Sequence, residues 1–140
     1  MTLIADTGGL YALFDADDRY HGAVRAVVEK ERGPIVVPAA ILAELDYLLR
    51  EFLGVDAELT LLDNLLEGAL TLDVPPFEDL RRARELIATY RDLDLGYADA
   101  AVVTTAERLG SRRILTVDLR DFRTVIPSSG EPFVLLPADR

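Results

Sequence analysis

Short apolar runs alternate with longer amphipathic stretches along most of this chain. Runs such as Leu3–Ala5, Ile35–Val37 and Ile114–Val117 are short and rich in branched side chains, which is typical of buried strands. The longer stretches between them repeat apolar residues at helical spacing. This order of elements predicts an α/β domain with a mostly parallel central sheet flanked by helices.

Glycine and proline residues mark several boundaries of the predicted elements. Gly33–Pro34 ends a helix over 18–31, Pro38 begins an apolar helix over 39–53, and Gly54 ends it. A short helix follows residue 6, and Gly8–Gly9 are expected to loosen it. The other predicted elements are helices over 56–67, 77–91 and 98–109, with strands over 2–6, 35–37, 70–72, 114–117 and 133–136.

The composition indicates one folded domain over residues 1–140. Half of the residues are hydrophobic, yet no apolar run approaches the roughly 20 residues of a membrane-spanning helix. The N-terminus lacks the basic leader of a signal peptide, and the chain has no cysteine for disulfides or thiolate zinc sites. We therefore expect a cytoplasmic protein without a membrane partner.

The net charge of −10 disfavours broad, nonspecific attraction to nucleic acid. It does not exclude a nucleic-acid substrate held by metal ions and a few local arginines. Lys30 is the only lysine among 15 basic residues. Arginine suits phosphodiester recognition, but the codon bias of a GC-rich genome explains this composition equally well.

Acidic residues stand at four places where the apolar pattern ends or is interrupted. Two of them end strands and two lie in otherwise apolar helices; they are Asp6, Asp118, Glu44 and Asp99. The carboxyl ends of parallel strands meet at one edge of a sheet, so these side chains are expected to share a pocket. Inward-pointing carboxylates repel one another and lose hydration, and a cation would relieve both costs.

Each acid also has a simpler interpretation when it is considered alone. Asp6 and Asp99 fit the N-caps of the helices that follow them, and Asp121 fits a turn. Glu44 lies at the edge of a helical stripe, where a charged group either reaches water or finds a partner. Thr7 either adds a hydroxyl to the site or caps the helix. The predicted stripe beside Glu44 consists of Ile41, Leu45, Leu48 and Phe52.

Four sequence blocks, in this order, resemble the PIN-domain ribonucleases, and specifically the VapC-type toxins of prokaryotic toxin–antitoxin pairs. The blocks are Ile4-Ala5-Asp6-Thr7, then Pro38-Ala39-Ala40-Ile41-Leu42-Ala43-Glu44, then Leu95-Gly96-Tyr97-Ala98-Asp99-Ala100, and finally Ile114-Leu115-Thr116-Val117-Asp118-Leu119-Arg120-Asp121-Phe122. The resemblance covers nearly the whole chain. It implies a single PIN-like domain.

The resemblance also implies a Mg²⁺- or Mn²⁺-dependent endoribonuclease whose metal-binding catalytic site is Asp6, Glu44, Asp99 and Asp118. Asp121 matches a family position close to the site and is a candidate fifth ligand. The matching position of Thr116 commonly carries a polar residue that orients the carboxylates. The implied partners are RNA, a second copy in a homodimer, and a small antitoxin that combines a DNA-binding module with a tail covering the active site.

Carboxylate oxygens are the natural ligands of Mg²⁺ and Mn²⁺, and such ions activate water for attack on a phosphodiester. Our hypothesis is that Asp6, Asp99 and Asp118 coordinate the ion directly. Glu44 would bind a second ion or orient the attacking water. The arginines nearest the last acidic block, which are candidates for phosphate contacts, are Arg112, Arg113, Arg120 and Arg123.

The absence of particular residues and motifs excludes several competing catalytic mechanisms. His21 is the only histidine, which excludes a metal-independent nuclease that uses two histidines. There is no Gly-rich loop ending in Lys-Ser or Lys-Thr, which excludes a P-loop hydrolase. A haloacid-dehalogenase-like phosphatase needs a second Asp at the position of Gly8. The alternative left open is a non-catalytic binding module whose acids cap helices or hold a structural cation.

Overall fold

The computed structural model describes residues 2–139. Its strands are β1 Leu3–Ala5, β2 Ile35–Pro38, β3 Thr71–Asp73, β4 Arg113–Leu115 and β5 Val134–Leu136. Its helices are α1 Thr7–Phe14, α2 His21–Lys30, α3 Ala39–Leu53, α4 Val55–Glu67, α5 Asp79–Thr89, α6 Tyr97–Arg108 and α7 Leu119–Thr124. A short 3-10 turn at Arg91–Leu93 links α5 to the segment before α6.

The five strands form one sheet in the order β3-β2-β1-β4-β5, and every neighbouring pair is parallel. All residues of β1 and β2 are buried, as expected for strands whose two faces are both covered by helices. β3 lies at an edge and is largely exposed. The predicted α/β fold with a parallel central sheet is therefore confirmed.

The direction in which successive strands are added to the sheet reverses between β1 and β4. From β1 the chain builds outward through β2 and β3, and it then crosses back to place β4 and β5 on the other side of β1. Loops that leave the carboxyl ends of such neighbouring strands diverge and open a crevice. The fold therefore places its natural binding crevice beside the residues that follow β1 and β4.

Most predicted boundaries agree with the structure within a few residues, and α3 agrees at both ends. Gly54 ends α3 at φ +98° and donates its N–H to the carbonyls of Leu49 and Arg50. One helix, α7, was not predicted, because its six residues are too few to show a helical repeat. No helix between residues 2 and 139 has both the length and the apolar character needed to cross a lipid bilayer.

The prediction that Gly8–Gly9 loosen the first helix is wrong. Both glycines lie inside an uninterrupted α1. A Cβ built on Gly9 would lie 2.4 Å from the carbonyl oxygen of Leu115, and one on Gly8 would lie 2.9 Å from Cγ2 of Val117. The glycines instead allow α1 to approach the end of β4 closely, which brings the two strand ends of the crevice together.

Candidate active site

Asp6 forms the floor of the crevice, directly after β1. Only 6% of its surface is exposed, and its backbone N–H donates to the carbonyl oxygen of Leu115 on the adjacent strand. Asp6 occupies the N-cap position of α1, but its side chain makes no capping hydrogen bond. Its Oδ2 accepts a hydrogen bond from the Thr116 hydroxyl at 2.9 Å instead. Capping therefore does not account for the Asp6 carboxylate.

Thr116 connects the two strand ends. Its side chain is fully buried after β4, and its Oγ1 also accepts the backbone N–H of Asp118 at 3.0 Å. One hydroxyl thus donates to the first acid and accepts from the backbone of the second. Asp118 lies at the N-cap position of α7, again without a side-chain capping bond. The Thr116 hydroxyl therefore sets how Asp6 and Asp118 are placed relative to each other.

Asp99 reaches the crevice from the first turn of α6. The N-cap of α6 is Gly96, so the interpretation of Asp99 as the N-cap is wrong. Asp99 is half-buried, and burial is the main cause that raises its pKa to about 6. The charges of Asp118, Asp121 and Glu44 raise it further, whereas the backbone of Gly96 lowers it. Because the charges of three other acids act on it, the Asp99 carboxylate lies near these acids.

The charges of neighbouring acids contribute to raising the pKa of three carboxylates in the crevice, Asp6, Asp99 and Asp121. Burial raises the pKa of Asp6 to about 6; the Thr116 hydrogen bond opposes this shift, and the charges of Asp99 and Asp118 add to it. The pKa of Asp121 is also raised, first by burial and then by Asp118. Such mutual repulsion requires that the side chains lie close together. The structure thus brings Asp6, Asp99, Asp118 and Asp121 to one place.

Glu44 lies at the rim rather than inside the crevice. It is exposed on α3, which corrects the expectation that all four acids point inward. The buried stripe of α3 is Ile41, Leu45 and Leu49, whereas Leu48 is only partly buried and Phe52 is 66% exposed. Glu44 therefore lies on the solvent side, although it is near enough to Asp99 for its charge to act there.

Asp94 is an acid near the site that the sequence reasoning missed. It adopts a left-handed backbone conformation at φ +57°, which Asp tolerates better than most residues. Its charge contributes to raising the pKa of Asp121. Nothing in the apolar pattern distinguishes Asp94 from a loop residue. The one available signal is its place just ahead of Gly96 and α6.

The acids of the crevice suit a divalent cation that keeps several bound waters better than one that is coordinated entirely by protein oxygens. Among residues 2–139, no group of three or more His, Asp or Glu side chains is arranged so that it could hold a metal ion by itself, so direct coordination by Asp6, Asp99 and Asp118 together is not seen. Mg²⁺ usually binds through one or two carboxylates and keeps several waters, so a closed cage is not required. The buried Oγ1 of Thr7, next to Asp6, makes no hydrogen bond within the same part of the chain. The residues present therefore fit an ion whose waters bridge to the surrounding oxygens.

Three of the four arginines proposed for phosphate contacts are engaged elsewhere. Arg112 and Arg113 lie at the amino end of β4, away from Asp118, and pair with Glu131 at 3.1 Å and Glu31 at 2.6 Å. Arg123 pairs with Asp139. Arg120 alone acts on the site, because its charge partly offsets the raised pKa of Asp121.

Comparisons with known proteins identify the family of this chain. The PIN domain family model matches residues 3–125. Ribonuclease VapC26 of Mycobacterium tuberculosis is 38% identical over 135 residues, which cover 96% of this chain and 100% of that protein. The alignment with that protein therefore spans nearly the whole chain.

Two solved structures share the fold at lower identity. VapC20 of Mycobacterium tuberculosis, described as a toxin that cleaves the sarcin-ricin loop, superposes with a TM-score of 0.77 at 18% identity, covering 83% of this chain and 89% of its own. VapBC2 of Rickettsia felis, solved with a DNA fragment from its promoter, gives a TM-score of 0.67 at 16% identity, covering 89% and 93%. The family match and the identity to VapC26 show that this chain belongs to the PIN-domain family and, within it, to the VapC ribonucleases.

Proposed function

We propose that this chain is the endoribonuclease toxin of a toxin–antitoxin pair and that its activity depends on Mg²⁺ or Mn²⁺. The observation that carries the proposal is the linkage Asp6–Thr116–Asp118 across two neighbouring strand ends, with Asp99 beside it. Relatives that bear the VapC name support the ribonuclease and the toxin role. The raised pKa values support the metal, because a cation stabilises carboxylates that burial and repulsion destabilise.

In this proposal one or two of Asp6, Asp99 and Asp118 bind the ion directly, and the remaining acids, with Asp121, hold its waters. When bound, the ion supplies positive charge to the phosphodiester and acidifies water for in-line attack. Thr116 keeps the Asp6 carboxylate turned toward the crevice through its 2.9 Å hydrogen bond. Glu44, at the rim, is in contact with solvent and is placed to orient the attacking water or to bind a second ion.

RNA cleavage by the purified chain tests this proposal directly. We expect an end-labelled RNA to be cut in the presence of Mg²⁺ or Mn²⁺ and to stay intact when EDTA is added. Expression should arrest growth, and the small protein encoded beside the toxin should restore growth. Cleavage that persists in excess EDTA would remove the metal from the mechanism. A culture that grows normally while it contains the folded protein would contradict the toxin role.

A groove beside the acids supplies positive charge for the RNA strand. It has a volume of about 380 Å³ and lies along α5 and the segment before α6. Arg84 and Arg91 line it together with Ile87, Ala88 and Asp94, and Asp94 is close enough to Asp121 to act on its pKa. Both arginines are exposed. We infer that they bind backbone phosphates on the way to the carboxylates, a role that sequence proximity had suggested for other arginines.

The double variant Arg84→Ala/Arg91→Ala should bind RNA more weakly and with less dependence on salt. Each lost phosphate contact lowers the slope of log affinity against log salt by about 0.7 for a single strand. Two contacts therefore correspond to a change of about 1.4 in that slope. Fluorescence anisotropy with a labelled RNA measures it. The matched control is Arg32→Ala, which changes an exposed arginine at the amino edge of the sheet. If Arg32→Ala lowered the salt dependence of RNA binding equally, the groove would not be a specific binding path.

The outer face of α4 is apolar, and we propose that the antitoxin covers it. Val55, Leu59, Leu62 and Leu66 follow one another at helical spacing and are exposed, Leu66 to 85%. Leu61 is the one buried residue of this helix, so most of its leucines do not pack into the core. An exposed stripe of this spacing fits an amphipathic partner helix. The net charge of −10 favours a partner whose contacting segment is basic.

Leu59→Asp should abolish copurification of the antitoxin encoded beside the toxin, because a charge in an apolar interface is left without a partner. Leu109→Asp, which changes a partly exposed leucine at the end of α6, is the matched control and should retain the antitoxin.

The same chromatography reports the mass of the toxin alone. We propose a homodimer, supported by the exposed Val74, Phe77 and Leu80 beside edge strand β3. A monomer at micromolar concentration would contradict the homodimer.

A further inference from the structure

A second hollow at the carboxyl edge of the sheet is lined by residues on both sides of Asp118 in the chain. Its volume is about 310 Å³, at the lower end of the range for small-molecule sites. Thr116, Val117 and Leu119 form one wall, and these residues flank Asp118 in the chain. The rest of the lining is Tyr20 and Ala23 with Pro137 and Ala138, which follow β5. The hollow and the acidic crevice therefore share a single segment of backbone.

We propose that this hollow binds one nucleobase of the RNA, next to the phosphate held at the acids. The proposal rests on the nuclease function proposed above and adds a subsite to it. Its walls are an aromatic ring, a proline and aliphatic side chains, which suit the flat apolar face of a base. A base in single-stranded RNA exposes this flat face. Any of the four bases can therefore stack on a tyrosine ring.

Arg19 adds a positive charge beside Tyr20, one of the residues that line the hollow. Its guanidinium carbon lies 4.6 Å from the centroid of the Tyr20 ring, and its side chain also donates to the Tyr20 hydroxyl. The guanidinium therefore holds the ring in place and brings a positive charge next to it, which suits a ligand that carries a phosphate. Leu119 is 38% exposed beside Asp118, an apolar surface that seating a base would cover.

Mononucleotides test the hollow without relying on cleavage. Titrating each of the four ribonucleoside 5′-monophosphates into the full chain in EDTA, with amide NMR shifts as the readout, should move Ala23, Leu119 and Ala138 saturably for at least one base. Ribose 5-phosphate, which lacks the base, should not move them. Tyr20→Ala should weaken the binding about tenfold or more, whereas Tyr20→Phe should keep most of it. Ala23→Leu, which fills the hollow, is a second variant that should block binding if Tyr20→Ala does not fold.

The outcomes separate the two proposals. If no nucleotide moves these amides, or if ribose 5-phosphate moves them equally, the base subsite is wrong even when the chain cleaves RNA. Equal losses from Tyr20→Phe and Tyr20→Ala would assign the effect to the hydroxyl and overturn stacking. If nucleotides bind as expected but wild-type protein cuts no RNA, the subsite is supported and the nuclease is not. In a cleaving enzyme, Tyr20→Ala should also change the base preferred at the cut site.

Discussion

Replacing Asp6 with Asn is expected to abolish RNA cleavage and to make the folded chain more stable near pH 8. The Asn side chain keeps the size of Asp and an oxygen that can accept the Thr116 hydrogen bond, but it carries no charge. Cleavage should fall at least about 1000-fold, because a bound ion contributes several kcal/mol to stabilising the transition state. Initial rates with Mn²⁺ and an end-labelled RNA measure this loss.

The gain in stability has a defined dependence on pH. Folding raises the pKa of Asp6 from 3.8 to about 6, so the folded state favours the neutral carboxyl. The stability that the neutral group contributes is complete below pH 3.8 and is lost as the pH rises through about 6. At about 1.36 kcal/mol per pKa unit, the charged group costs up to roughly 3 kcal/mol near pH 8. Asn has no such cost at any pH.

Urea unfolding in EDTA at several pH values measures this difference. Wild type and Asp6→Asn should be equally stable near pH 3.5 and should diverge as the pH rises through 6. Asp63→Asn removes the same charge from an exposed position on α4 and should change neither cleavage nor this pH profile. A variant that is less stable than wild type at every pH would favour a purely structural acid. A variant that still cleaves RNA would exclude Asp6 from the metal site.

Gly9→Ala should destabilise the chain by about 2–4 kcal/mol and lower the melting temperature by roughly 10 °C. The added Cβ would lie 2.4 Å from the Leu115 carbonyl oxygen and 2.7 Å from its carbon. Both atoms belong to the backbone of β4, so they cannot move aside as a flexible side chain would. The same carbonyl accepts the N–H of Asp6 at 2.9 Å. Relieving the clash must therefore shift the two strand ends that carry the acids.

Gly22→Ala is the matched control for this substitution. Gly22 lies in α2, and a Cβ there would meet no atom within 4 Å. Alanine should raise stability by up to about 1 kcal/mol, because it has the higher helix propensity. Calorimetry or thermal circular dichroism compares the three proteins. If Gly9→Ala melts within a degree or two of wild type, the close contact between α1 and β4 is not what determines the geometry of the crevice.

The sequence predicted the elements best where local chemistry alone decides them. Pro38 and Gly54 bound α3 because proline favours the start of a helix and glycine adopts the positive φ that ends one. α7 was missed because six residues hold fewer than two helical turns. Leu48 was assigned to the buried stripe of α3 in place of Leu49, which lies one position further round the helix. The sequence alone does not show which of these two leucines is buried, because that depends on which side of α3 faces the core.

Surfaces were harder to predict than the core. The leucines of α4 have the same spacing whether they face the core or a partner, so the pattern could not show that Leu59 and Leu66 are exposed. The arginines near Asp118 were chosen by sequence distance, yet Arg112 and Arg113 lie at the opposite end of β4. Arg84 and Arg91, farther away in sequence, line the groove beside the acids.

The sequence by itself determined that this protein has a parallel sheet with acids at the ends of its apolar runs. Those features follow from the spacing of neighbouring residues, because the runs Leu3–Ala5 and Ile114–Val117 are each followed directly by an acid. Only the tertiary structure decided that β1 and β4 are adjacent, so that Thr116 donates to Asp6 across a separation of 110 residues. It also decided which acid is buried and which lies at the rim. Strand order and burial depend on how all the helices pack on the sheet together, and no local pattern encodes that competition.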